Sequence, residues 1–167
     1  MRMYRHDDWL KRLALGATGG LAGTCAIQFL LSARQKWLPN TQPPMRQEPG
    51  AFMVEKGEKM LPDSVRQHIP QSVETGAALT LAAGYGLTFG ALYTLLRPQG
   101  GSAMVDGVLL GLANWATGYV GWLPATRLMP PLWQQKVPQV IAPIVEHTLY
   151  GMATVATYNW LRRRLSG

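Results

Sequence analysis

Between Glu74 and Arg97 the chain reads TGAALTLAAGYGLTFGALYTLL, twenty-two residues (Thr75–Leu96) without one formal charge. As an α-helix, at about 1.5 Å per residue, the stretch is ~33 Å long, and the hydrocarbon core of a bilayer is about 30 Å thick. Backbone crossing lipid must close its hydrogen bonds within itself, so a run of this kind that crosses does so as a helix. Three segments of similar character accompany it: Leu13–Ala33, Gly107–Leu123 and Val140–Leu161. The expectation is an all-α integral membrane protein. One domain of 167 residues forms a four-helix transmembrane bundle, with a polar, partly helical loop over residues 34–74.

The competing fold is a soluble all-α globule with buried helices. Mean hydropathy near zero (−0.01) leaves room for it, but helices on a water-exposed globule carry a charged face. Three of these segments have none. The 18 glycines fall mostly inside the apolar runs and the 12 prolines mostly outside them, a partition suited to spans and connectors. Trp9, Trp37, Trp122, Trp133 and Trp160 lie at proposed span ends or in a connector, with only Trp115 in mid-span; an interfacial aromatic belt has that distribution. The net charge of +7 gathers at the same ends, in Lys11–Arg12, Arg34, Lys36, Arg97 and Arg162–Arg164. Headgroups and insertion rules account for it there, so no nucleic-acid partner is expected.

Met1–Arg12 reads as an amphipathic lead-in, with Tyr4 and Trp9 at headgroup level and Arg2, Arg5, Lys11 and Arg12 in water. The loop's Ala51–Met60 and Pro62–His68 read as short surface-lying helices, and the four prolines of Pro124–Pro138 exclude a single helix there. Gln99-Gly100-Gly101-Ser102 is a tight turn, predicting spans two and three as antiparallel neighbours. Asp106 opens span three at the positive end of its dipole, and Cys25 reads as a small packing residue. Lysine and arginine divide equally between the two sides. Those abutting spans one and four favour both termini in the cytoplasm, as a multi-pass protein of a bacterial inner membrane.

Small residues recur four apart: Gly16 with Gly20, Gly19 with Gly23, Gly86 with Gly90, Gly107 with Gly111. Lipid supplies little hydrophobic force between helices, so close backbone approach takes its place. Either these faces close a monomeric bundle, or one of them, on span one, docks a partner's helix or a second copy. A polar site is expected where Glu146 and His147 enter span four. Gln28 and Asn114 lie at comparable depth if spans one, three and four face one another, with Glu146 ~7 Å outside the midplane and Gln28 the same. Glu146 and His147 point about 100° apart and cannot aim at one spot. The plainer alternative pairs Glu146 with Arg127 or Lys136. No second histidine stands at ligand spacing, and HExxH, GxSxG, P-loop, CxxC and dinucleotide patterns are absent from the sequence. No cofactor, metal or catalytic residue is assigned, and a non-enzymatic accessory or scaffold role, or a homo-oligomer, is expected. A proton, ion or small-solute pathway through Glu146 and His147 is the second reading.

Gly20-Leu21-Ala22-Gly23, Gly86…Gly90-Ala91-Leu92-Tyr93, Gly107…Gly111…Trp115…Pro124 and His147-x-x-Tyr150-Gly151 together resemble the YagU-type family of small bacterial inner-membrane proteins. The resemblance covers spans two to four. It implies a location and a helical bundle, not a reaction.

Overall fold

A computed structural model describes residues 7–165, with side chains from Trp9 onward; the lead-in residues Arg2, Tyr4, Arg5 and His6 lie outside the described residues. Among the described residues every regular element is helical. α1 spans Asp7–Trp37, α2 Pro49–Glu58, α3 Asp63–Arg66, α4 Gln71–Leu96, α5 Val105–Trp115, α6 Leu123–Ala125 and α7 Val137–Leu165. Two helices, α1 over Trp9–Trp37 and α4, are long and apolar enough to cross a membrane. The segment expected as span three is regular for only 11 residues. It then widens into π-helical turns over Ala116–Trp122 before Pro124 enters α6. α7 is 29 residues long, holds Pro143 and Glu146 in its interior, and ends in Arg162, Arg163 and Arg164.

Helix boundaries follow local chemistry. α1 does not stop at Ala33 as expected; it continues through Arg34 and Lys36, whose charges suit the negative end of the helix dipole. α2 starts where the Glu48 carboxylate accepts from the backbone N–H of Gly50 and Ala51, with Pro49 at the first helical position. α4 ends at Leu96 because Pro98 disfavours helical backbone at Arg97 and offers no donor. On α2, hydrogen bonds from Lys59 and then Gln47 hold the exposed Glu55 carboxyl below its usual range. That small contribution is present above the ordinary carboxylate pKa and fades as pH falls through the lowered one.

Three seams are tight and one is wide. α1 packs against α4 and α7, and α7 packs against α5, whereas α4 and α5 touch at few points. The tight turn therefore joins two consecutive helices that are not the packed neighbours expected of them. Residue size explains the difference. Glycines line the tight seams, while the α4 side of the wide one carries Tyr85 and Tyr93. Tyr93 Oη donates to Asp106 Oδ2 (3.1 Å) and Tyr85 Oη to the Asn114 carbonyl (3.4 Å). Two tyrosines of α7 complete the lattice: Tyr150 Oη donates to the Gly86 carbonyl (2.6 Å) and Tyr158 Oη to the Pro98 carbonyl (2.8 Å).

The α4–α5 turn is pinned by this lattice. Asn159 Nδ2 donates to the Gly101 carbonyl (2.7 Å), and a Cβ on Gly101 would lie 1.6 Å from Asp106 Oδ2. That carboxylate is buried and held by Tyr93, so it cannot simply swing away. Gly101→Ala is expected to destabilise the protein by about 1–3 kcal/mol. A fall in the thermal midpoint of detergent-solubilised protein measures it; an unchanged midpoint contradicts the pinning.

The apolar cores sit toward the two ends. Tyr93, Val155 and Tyr158 form one beside this turn. Tyr119, Leu123, Leu128 and Met129 form the other, with Met45 and Phe52 of the long loop packed onto it. The backbone N–H of Arg46 donates to the Leu128 carbonyl (2.9 Å), tying that loop across the bundle end.

Candidate functional site

Beneath the loop, α1 and α7 bring together a buried ion pair. Arg34 Nε lies 3.1 Å from Glu146 Oε1, with the two side chains only 11% and 7% exposed. Sequence reasoning offered Glu146 the basic residues of the preceding loop, Arg127 or Lys136. The structure pairs it with Arg34 instead. Side chains on a helix lean toward its N-terminus, so Arg34, on the last turns of α1, points back into the bundle toward Glu146. Arg127 is held on an exposed left-handed turn (φ 61°). The missed signal was Arg34 itself: three residues before the end of α1 at Trp37, it reads as the charge that ends the span when the helix is taken to stop at Ala33.

The pair is close but poorly satisfied. Arg34 Nε stands within ion-pair distance of Glu146 without the alignment of a directed hydrogen bond, and Arg34 Nη1 and Glu146 Oε2 are buried with no hydrogen-bond partner. Two further orphan atoms belong to α5, Asn114 Oδ1 and Trp115 Nε1. Buried polar atoms are nearly always bonded, so each exception needs a physical explanation. An unsatisfied buried donor or acceptor costs about 1–3 kcal/mol.

The other expected members divide. His147 is beside the pair, but its Nδ1 is engaged with the Pro143 carbonyl (2.8 Å) on its own helix. Its ring meets the edge of Tyr119 (centroids 5.5 Å apart), and Tyr119 in turn stacks on Trp115. Asn114 is buried (4% exposed) in the wide seam, and no hydrogen bond joins it to Glu146. Gln28 is not part of the site. It lies on the exposed face of α1, away from both packed helices. Cys25 shares that exposed face and is not an interior packing residue.

The small-residue faces are filled by the chain's own helices. A Cβ on Gly16 would stand 2.4 Å from the Gly90 carbonyl oxygen, one on Gly20 2.3 Å from that of Gly86, and one on Gly90 2.2 Å from that of Gly16. Gly86 meets Thr24 Oγ1. Gly19 and Gly23 press on α7 at Thr154 and Tyr150, and Gly107 and Gly111 press on it at Met152 and His147. These glycines close the bundle; none is free for a partner. No group of three or more His, Cys, Asp or Glu side chains placed to hold a metal ion occurs among the described residues. Comparison with family models, curated proteins and solved structures gives no match.

Proposed function

We propose that this chain is a four-span membrane protein with a non-enzymatic role, an accessory or scaffold subunit or a homo-oligomer in a bacterial inner membrane, with both termini cytoplasmic. The reading rests on an inverted distribution of polarity. Thr94, Asp106, Asn114, Glu146, Thr154 and Asn159 are buried, while Phe29, Leu92, Leu109, Val120, Ile141 and Val145 are exposed. A protein in water hides the second set and shows the first; a bundle in lipid does the reverse, because inside hydrocarbon polar groups must find partners within the protein. α5 with its π-helical continuation and α7 supply the two further spans. The resemblance to YagU-type proteins supports the same location. Association runs through a surface other than the glycine faces, which the bundle consumes.

Alkaline carbonate treatment of membranes containing the full chain tests the placement: the protein is expected to stay in the pellet and to be released only by detergent. Release by carbonate alone removes the four-span reading. A second reading is favoured by the orphan atoms of Arg34, Glu146, Asn114 and Trp115: a pathway for protons or a small polar solute past the ion pair. In proteoliposomes, a proton-dependent flux that Glu146→Gln abolishes supports it, and a flux indifferent to that change rules it out.

A further inference from the structure

The chain leaves Arg34 and crosses the end of the bundle before it is fixed again. Its first anchor is the end of α1, where the Leu38 N–H donates to the Arg34 carbonyl (2.7 Å). Its second is Gly50, buried against α4, where a Cβ would lie 2.8 Å from the Ala78 carbonyl oxygen. Between the two, a single 3-10 turn over Pro39–Thr41 rests on α7, and Met45 packs on the cluster of Tyr119, Leu123, Leu128 and Met129. The backbone N–H groups of Thr41, Gln42 and Met45 stay within the segment, donating to Leu38, Pro39 and Pro43, while that of Arg46 crosses to the Leu128 carbonyl (2.9 Å). Tyr119 joins this floor to the ion pair: its ring meets His147, and it lies within the fields of both Arg34 and Glu146. Cover and floor are unequal. No residue of 38–49 is buried, whereas Tyr119, Leu123, Leu128 and Met129 beneath all are. Few buried apolar contacts and mostly local hydrogen bonds mark the part of a fold that opens most readily.

We propose that residues 38–49 form a strap that closes this end of the bundle over Arg34 and Glu146, and that its release between fixed ends admits water to the pair. The strap is the gate of the pathway past the ion pair described as the second reading above, and rests on that reading. Two opposed terms poise it. Arg34 Nε, Arg34 Nη1 and Glu146 Oε2 are buried without hydrogen-bond partners, and water reaching them would satisfy each, which favours release. Release also bares Leu128 and Met129, and the return of that apolar surface to cover favours closure. Pro39, Pro43, Pro44 and Pro49 restrict the backbone between the anchors, so the segment swings as a stiff piece and has few other conformations to adopt.

Glu146 itself reports the opening. The full chain in lipid nanodiscs, treated with a water-soluble carbodiimide and glycine ethyl ester, is read by mass spectrometry for amide formation at Glu146 and at Asp106, a buried carboxylate at the α4–α5 turn. Met45→Ala/Arg46→Pro removes the strap's apolar contact and its bond to Leu128. It is expected to raise the labelling rate at Glu146 about tenfold and to leave Asp106 unchanged. An equal rise at both carboxylates means that the whole bundle has loosened, and no rise at Glu146 means that nothing covers it; either overturns the strap. In a Cys25→Ser background, Arg46→Cys/Leu128→Cys staples the strap shut when oxidised. Labelling at Glu146 is then expected to fall about fivefold and to recover with dithiothreitol. In proteoliposomes, the flux of the second reading is expected to rise in the first variant and to stop under the oxidised staple. A flux indifferent to both overturns the gate and leaves the pathway standing. No flux in any state removes the pathway, while the labelling contrast between Glu146 and Asp106 still decides whether the strap closes over the pair.

Discussion

Arg34→Met is expected to lower the stability of the bundle by about 3–5 kcal/mol, the usual cost of leaving one member of a buried ion pair without the other. With Arg34 gone, the Glu146 side chain is 7% exposed in the native geometry and has no second cation within ion-pair distance among the described residues. Glu146→Leu is expected to cost a similar amount, stranding the guanidinium. The double variant Arg34→Met/Glu146→Leu removes both charges at little change in volume. It is expected to recover most of the loss, because well-packed apolar replacements of buried pairs are often neutral or better. A positive coupling of several kcal/mol therefore separates this pair from a surface bridge, which is worth about 0–1 kcal/mol. The same comparison made at Lys59 and Glu55, a pair on the exposed surface of α2, provides the internal control. Unfolding midpoints in mixed micelles, followed by tryptophan fluorescence, give the energies. Single variants within about 0.5 kcal/mol of the native protein would contradict the burial of the pair.

The site was legible in kind and not in membership. A carboxylate inside an apolar run announces itself, because charge in such a place is costly whatever the fold; Glu146 was found that way. Its partner was hidden by a boundary. Arg34 and Lys36 mark the end of an uncharged run, but hydrogen bonding continues to Trp37, and one further helical turn carries the guanidinium over the bundle. Gln28 lies on the exposed face of α1, not on the face toward the other helices that the expected site required. Depth follows from residue count along one helix, whereas facing depends on which neighbours the other faces of that helix have already claimed. The pairing of helices was similarly out of reach. The turn at Gly100 places α4 beside α5 in sequence, but contact goes to glycine against glycine, and Tyr85 and Tyr93 hold that seam open. Chain adjacency set the connection; side-chain volume set the packing.

Gly90→Leu and Gly84→Leu, six residues apart on α4, are expected to have opposite outcomes for the same reason. A Cβ at Gly90 would lie 2.2 Å from the Gly16 carbonyl oxygen and 2.7 Å from the Gly20 nitrogen, both backbone atoms of α1. No rotamer change relieves a clash with backbone. α1 and α4 must separate by about 1 Å even for alanine, and interiors packed at crystal density do not absorb that locally. The separation stretches the Tyr150 bond to the Gly86 carbonyl, and with it the contact between α7 and α4. Gly90→Ala is therefore expected to cost about 1–3 kcal/mol, and Gly90→Leu to leave little folded protein in the membrane. At Gly84 a Cβ meets nothing within 4 Å, so Gly84→Leu adds a side chain to an open face and is expected to stay within about 0.5 kcal/mol of the native protein. Steady-state abundance in membranes and the thermal midpoint in detergent read both variants together. Equal loss at the two positions would mean that α4 presents its glycines to something other than α1, and the seam that orders the whole bundle would have to be redrawn.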